Sequence, residues 1–172
     1  MEVWEAIRKK RAVRVFKNEP LPEEAVTRIL DAGRRSQSSK NTQPWDFIAI
    51  RDHDQLQKVS ELGQWTGHVA GAAMCVAIVV PAPQPGQDVE WKHMFDAGQA
   101  ASYMQLAALE IGVGSCLGTV YKPDEARQIL GYPTDKTVNI VISFGYPAEQ
   151  PTTPAKKGGR RPLQEVIHWD RW

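Results

Sequence analysis

Helices alternate with strands along this chain, and the sequence predicts one domain of mixed class in which helices cover a central sheet. Three observations carry that prediction. Met74-Cys75-Val76-Ala77-Ile78-Val79-Val80 is a continuous apolar run with no polar face, which reads as a strand buried on both sides in the middle of a sheet. Val89 to Ile111 reads as one long helix of small and apolar residues. The 172 residues, 42% of them hydrophobic, match one domain of common size with material for a real core. No internal repeat, low-complexity tract or shift in composition marks a second unit, so residues 1–172 are read as a single domain.

The elements follow in order. Val3, Trp4 and Ile7 make the apolar stripe of a short first helix, and its last turn is expected to carry the basic block Arg8-Lys9-Lys10-Arg11-Ala12-Val13-Arg14. Leu21-Pro22-Glu23-Glu24 opens a second helix, with proline and acids near its positive end; Val26, Ile29 and Leu30 supply its buried face up to Gly33. Ser36 to Trp45 is too polar for a core element, and Phe47-Ile48-Ala49-Ile50 follows as a short strand. Gln64 to His68 is a connecting or helical stretch before the Met74 strand. Pro81 to Gln87 is too rich in proline for regular structure. In the long helix, Phe95, Ala97, Ala100, Ala101, Met104, Ala107, Ala108 and Ile111 leave little surface suited to water, so it is either central or at a subunit interface. Gly112 to Val120 turns into a strand, Pro123-Asp124-Glu125 opens a helix that Gly131 stops, and Val138 to Phe144 is the last clear strand. From Gly145 the chain reads as irregular. Its end carries Trp169 and Trp172, and aromatics this large stabilise by burial, so the tail is expected to pack on something, another subunit included.

Charge and composition exclude several functions. Lysines and arginines nearly cancel acids, for a formal charge of +1, so no global field gathers nucleic acid. Cys75 and Cys116 lie in apolar runs without CxxC or Cys/His spacing and read as buried reduced thiols of a cytoplasmic protein. The N-terminus has no basic stretch followed by an apolar one, and no segment reaches about 18 uninterrupted apolar residues, which points away from a membrane. His53, His68, His93 and His168 are scattered without HExxH or paired spacing, so no metal is expected. Gly112-Val113-Gly114 lacks a third glycine and a later acidic partner, which excludes a Rossmann dinucleotide motif.

What remains is chemically specific. The basic block offers several cations, and Ser38-Ser39-Lys40-Asn41-Thr42-Gln43-Pro44-Trp45 offers short polar side chains beside a rigid Pro-Trp. Together they suit an anionic, planar, hydrogen-bonding ligand such as a phosphorylated cofactor. A plainer account of the basic block is that cations at a helix C-terminus complement the macrodipole.

Six segments occur here in the order seen in the nitroreductase family of FMN enzymes. They are Arg8 to Phe16, the Ser38–Trp45 block with Asp46-Phe47-Ile48, Asp96-Ala97-Gly98-Gln99-Ala100-Ala101, Gly112-Val113-Gly114-Ser115-Cys116, Ser143-Phe144-Gly145-Tyr146-Pro147, and Arg161-Pro162-Leu163. The chain resembles that family over nearly its whole length. The resemblance implies an α+β fold with a central, mainly antiparallel sheet flanked by helices. It implies a homodimer whose C-terminal segment, about residues 146–172, extends onto the partner subunit, and two FMN sites at the interface.

Carried onto this chain, the resemblance assigns Lys10, Arg11 and Arg14 to the FMN phosphate, a dianion that needs charge-assisted hydrogen bonds once desolvated. Arg160 and Arg161 match a late basic pair closing on the same phosphate, without a choice between them. Ala12 stands where the family usually has serine, so one hydroxyl donor is missing. Ser38, Ser39, Asn41 and Gln43 match the block lining the flavin from the other subunit, although Gln37 replaces a frequent proline. Gln64 matches an amide near the flavin pyrimidine. Leu117, Gly118 and Thr119 match the turn whose backbone approaches the isoalloxazine, which suits a glycine without Cβ. Trp65, Trp91 and Tyr103 are read either as a wall over the substrate or as core.

The implied activity is hydride transfer from NADH or NADPH through flavin N5 to a small-molecule acceptor, with ping-pong kinetics and no catalytic side chain required. Nitroaromatics, quinones, flavins and enones are the family's acceptors. Two alternatives stand beside it. One is an FMN enzyme of dehalogenating or flavin-fragmenting type, which usually carries a substrate-ordering insertion where Asp88 to Trp91 is short. The other is a flavin-binding module without turnover.

Overall fold

In the computed structural model, residues 1–84, 86, 90–149 and 159–172 are described. The expected helix start at Val89, the start of the short Asp88–Trp91 stretch, and Pro85 and Gln87 of the proline-rich break lie outside them.

Four strands form one sheet in the order β1-β2-β4-β3, every neighbouring pair antiparallel: β1 (Asp46–Ile50), β2 (Met74–Pro81), β3 (Gly114–Thr119) and β4 (Lys136–Gly145). The apolar run predicted to be a buried central strand is β2. Its alternate residues divide between two cores. Met74, Val76, Ile78 and Val80 meet Ile29 of α2 (Glu23–Arg34) and Met104 of α4 (Trp91–Glu110). Cys75, Ala77 and Val79 meet Leu56 and Val59 of α3 (His53–Ser60) and Ala126 of α5 (Pro123–Leu130). Helices therefore cover both faces, and each fully buried aliphatic side chain stabilises the layered packing by about 1.5–3 kcal/mol. A bulge opposite Ile78 and Val79 frees Asn139, whose carbonyl accepts from Val120 N–H at 2.9 Å.

Helix α2 begins after Pro22 and buries Ala25, Val26, Ile29 and Gly33; α5 starts at Pro123 and ends at Gly131, as predicted. Helix α3 has no counterpart in the sequence reading. Its local signal is Asp52, whose carboxylate accepts from Gln55 N–H at 2.9 Å as an N-cap, followed by buried Leu56 and Val59.

One expectation is corrected at the N-terminus. Helix α1 (Val3–Lys9) stops before the cations centred on Lys10 to Arg14. Val13 N–H donates to Ser115 O at 3.0 Å, Ala12 bridges Ser115 in parallel, and Phe16 bridges Pro147. The segment is drawn out of helical geometry because burying Val13 against β3, with its backbone hydrogen bond, outweighs one more helical turn. Residues after β4 also pair within the chain at first: Lys17 N–H donates to Tyr146 O at 2.8 Å and Ala148 N–H to Val15 O at 3.1 Å.

The long helix α4 carries apolar side chains on its buried and its exposed sides alike. Ala97, Ala100, Ala101, Met104 and Ala108 are buried, whereas Trp91, Phe95 and Tyr103 face solvent in the single chain. At the C-terminus, residues 159–172 are exposed throughout, with one 3-10 turn (Leu163–Glu165) and His168 stacked on Trp172 at 4.0 Å. Pro151, Pro154, Lys156, Lys157 and Gly158 of the expected tail lie outside the described residues.

Candidate functional site

The extended segment Lys10–Phe16 distributes its cations over separate surfaces. Lys10 is half-buried, and its Nζ donates to Arg11 O at 2.9 Å and Ser115 O at 3.4 Å. Burial first, then the neighbouring Arg11 and Arg14, hold its pKa below the ordinary lysine value, while Cys116 opposes them. Arg11 donates from Nη1 to Arg8 O at 2.7 Å and Lys10 O at 2.8 Å. It lines a cavity of about 530 Å³ together with Trp4, Arg8 and Arg160. The structure thus brings Arg160 beside Arg11, while Arg161 is an exposed residue of the tail. Only Arg8 and Lys9 lie in the last turn of α1, where Lys9 pairs with Glu5, so the macrodipole account covers them and not Lys10, Arg11 or Arg14.

Arg14 lies elsewhere, in a cavity of about 450 Å³ lined by Arg14, Gln64, Trp65, Gly67, His68 and Leu117. Three residues singled out from distant parts of the sequence meet here: a cation, an amide that both donates and accepts, and an exposed apolar side chain from the edge strand β3. The volume falls within the ordinary range of small-molecule sites. Behind it, Cys116 is buried; burial raises its thiol pKa, and Arg14 and Lys10 partly offset the rise.

Gly118 fits the site for a reason other than ligand approach. A Cβ built there would stand 2.9 Å from Thr66 Cγ2 and 3.4 Å from His68 Nε2 and Val141 Cγ2. Its missing side chain leaves room for the connector between α3 and β2. Thr119, the next residue, is exposed.

The Ser38–Gln43 block forms a separate unit. Ser39–Asn41 is a 3-10 turn, and Lys40, Asn41 and Gln43 adopt positive φ of 52°, 55° and 47°. Asparagine tolerates that region; for Lys40 and Gln43 it costs about 1 kcal/mol or more, and such strain persists where the surroundings over-determine it. The surroundings are Asp96 and Ser38. Asp96, 2% exposed on α4, accepts Ser39 N–H at 3.1 and 3.2 Å, and Ser38 Oγ accepts Gln43 N–H at 2.9 Å. The side chains of Ser39, Asn41 and Gln43 are exposed. Gln43 lines a third cavity, of about 550 Å³, with Thr27, Leu30 and Trp45. Within one chain this block and the Arg14 cavity do not share a pocket.

Two residues enter that the sequence reading did not assign. Asp96 anchors the polar loop, and its signal was its place in the Asp96-Ala97-Gly98-Gln99 segment. His68 sits in the Arg14 cavity with Nδ1 2.8 Å from Ser143 Oγ. Trp65 lines the same cavity, whereas Trp91 and Tyr103 lie on α4 outside it, and all three are exposed in the single chain. Among the described residues no group of three or more metal-ligating side chains occurs, and no helix is long and apolar enough to cross a membrane.

The nitroreductase family model matches residues 7–74 and 65–146. The chain belongs to the nitroreductase family. Among its nitroreductase-family relatives, a Methanothermobacter thermautotrophicus protein whose name carries the words NADH dehydrogenase/NAD(P)H nitroreductase is 30% identical over 178 residues, spanning 100% of this chain and 88% of the relative. An iodotyrosine deiodinase of Nematostella vectensis is 33% identical, over 96% of this chain and 74% of its own length. Among solved structures, an FMN-dependent nitroreductase of Clostridium difficile superposes with a TM-score of 0.81 at 26% identity, covering 97% of this chain and 98% of the other. The nitroreductase α+β fold, with its antiparallel sheet between helical layers, is therefore the fold of this chain.

Proposed function

We propose that this chain is an FMN-dependent NAD(P)H oxidoreductase that works by ping-pong kinetics on nitroaromatic, quinone or related acceptors. The observation that carries the proposal is the meeting of Arg14, Gln64 and Leu117 in one cavity. That donor set suits the cofactor: Arg14 supplies positive charge, Gln64 complements a pyrimidine edge that both donates and accepts, and Leu117 and Trp65 offer apolar surface to a flat ring. When bound, FMN would supply hydride acceptance and donation at N5. Arg14 would oppose the negative charge that accompanies reduction. Lys10, Arg11 and Arg160 or Arg161 would hold the phosphate by charge-assisted hydrogen bonds.

The second half of the site would come from another copy. Ser39, Asn41 and Gln43 are exposed beside a half-buried Ser38, and an apolar surface around Trp91, Phe95 and Tyr103 is exposed as well. A groove of about 470 Å³ lined by Val3, Ala6, Ile7, Tyr103, Leu106 and Ala107 continues that surface. A second copy covering it, with the Trp169–Trp172 tail laid on the partner, accounts for large aromatics left in water.

The iodotyrosine deiodinase relative favours one further reading, reductive dehalogenation at the same FMN site. An anaerobic titration decides among these. Protein reconstituted with FMN is mixed with NADH and separately with NADPH while the flavin band near ~450 nm is followed. Bleaching by either donor, reoxidised by a nitroaromatic or quinone, is the expected result. Flavin binding without bleaching, or reoxidation by a halogenated phenol alone, contradicts it.

A further inference from the structure

The connector between α3 and β2 grips the outer half of strand β3. Tyr121 N–H donates to Leu62 O at 2.9 Å, just past the end of the strand. A Cβ on Gly63 would come within 2.1 Å of Thr119 O, so this backbone lies directly against the strand. Thr66 is fully buried, its hydroxyl 2.8 Å from both Ser60 O and Gly63 O. It fills the space that a side chain at Gly118 would take.

One polar tie runs from this connector to the centre of the sheet. His68 Nδ1 is 2.8 Å from Ser143 Oγ, and Ser143 Oγ donates to Cys116 O at 3.3 Å. Ser143 is fully buried on β4 and stands in register with Cys116 on β3 and Cys75 on β2. The line from His68 through Ser143 to Cys116 O ends on the carbonyl that precedes Leu117 and Gly118. The imidazole's other nitrogen, Nε2, is buried without a hydrogen-bond partner against Gly118. A polar ring held this way on the floor of the Arg14 cavity costs stability that an apolar side chain would not, which marks a positioning task.

We propose that His68 is a positioning residue of the flavin site: tied to Ser143, it fixes where the Leu117–Gly118 backbone stands at the edge of the Arg14 cavity. This inference rests on the flavin reading above. The apoproteins of the wild type, His68→Leu, His68→Asn, Ser143→Ala and the His68→Leu/Ser143→Ala double variant are titrated with FMN by fluorescence quenching. The visible spectrum of the bound flavin and the melting of each apoprotein are recorded alongside. His68→Leu and Ser143→Ala are each expected to raise the FMN Kd about 10-fold and to shift the flavin band, as for loss of one buried hydrogen bond. The double variant is expected to bind no worse than the weaker single, because both remove the same link. His68→Asn keeps a hydrogen-bonding atom at the Nδ1 position and is expected to stay within about 3-fold of wild type. Single variants that bind and absorb like the wild type, effects that multiply in the double, or an asparagine as weak as leucine would each overturn the proposal. Should His68→Leu fail to fold, Ser143→Ala and His68→Asn carry the same contrast. A wild-type apoprotein that ignores FMN overturns the flavin reading itself, which is a different outcome from a wild type that binds and His68 variants that bind equally well.

Discussion

The Lys10–Phe16 segment and the Ser38–Gln43 loop are both rich in groups suited to a phosphorylated flavin, yet the fold treats them in opposite ways. The first is joined to the sheet by Val13 on Ser115 and Phe16 beside Pro147, and it delivers Arg14 into a cavity of its own chain. The second is held in left-handed geometry by Asp96 and Ser38, and its Ser39, Asn41 and Gln43 side chains are exposed and line no part of that cavity. One is a finished wall and the other is a presented hand. Backbone strain spent on displaying side chains outward makes sense when what they bind belongs to another copy.

The largest expected effect strikes the first region. Arg11→Ala with Arg14→Ala removes two charged donors, each worth about 1.5–3 kcal/mol when hydrogen-bonded. FMN affinity should fall at least about 100-fold, while the apoprotein melts within a few degrees of wild type, because both side chains are exposed. Comparing the two single variants sharpens the picture: Arg14 shares its cavity with Gln64, and Arg11 shares one with Arg160. A double variant that keeps its flavin removes the assignment of these two cations to FMN.

A smaller effect is expected in the second region. Asp96→Ala deprives Ser39 N–H of its acceptor and releases the loop from its strained shape. FMN affinity should drop about 10-fold, in line with one charge-assisted hydrogen bond, and protease cleavage between residues 37 and 43 should accelerate. Unchanged binding with a loosened loop would show that the loop's geometry does not serve the flavin.

The smallest effect is a pH response in the cavity that the first region lines with Arg14. Burial, then Arg14, holds the His68 pKa below its ordinary value of 6.5, with backbone carbonyls of Leu117 and Trp65 opposing them. His68 is neutral in the fold and takes up its proton more readily once unfolded. Its contribution to stability is therefore complete above pH 6.5 and is lost progressively as pH falls toward the folded value. Denaturant midpoints of wild type and His68→Asn, measured from pH 7.5 down to 5.0, should differ in slope in that direction; parallel curves would contradict the shift.

Much of the fold was legible because single segments decide it. The unbroken apolar run of β2, the proline-and-acid starts of α2 and α5, and the Gly131 stop carry their own signals. Helix α3 was missed although Asp52 marks its start, because its two buried residues, Leu56 and Val59, are too few to make a strong period. Lys10 to Arg14 looked helical because cations say nothing about conformation; the deciding contact, Val13 on Ser115, joins residues about a hundred positions apart. The same limit hid the meaning of Gly118 and His68. A glycine in a strand announces a close approach without saying what approaches, and here it is Thr66. A lone histidine on a polar connector gives no hint of Ser143 until the sheet sets them side by side.

The most direct test of a site divided between two copies is complementation. Arg14→Ala and Asn41→Ala chains, each unable to hold FMN firmly, are unfolded together, refolded as a mixture and titrated with FMN. If each site takes Arg14 from one copy and Asn41 from another, the mixed dimers contain one site with both residues intact, and about a quarter of the sites in a statistical mixture should regain wild-type affinity. If no tight site returns on mixing while the parent variants refold as dimers, both residues act within one chain or not on FMN at all, and the division of the site is wrong.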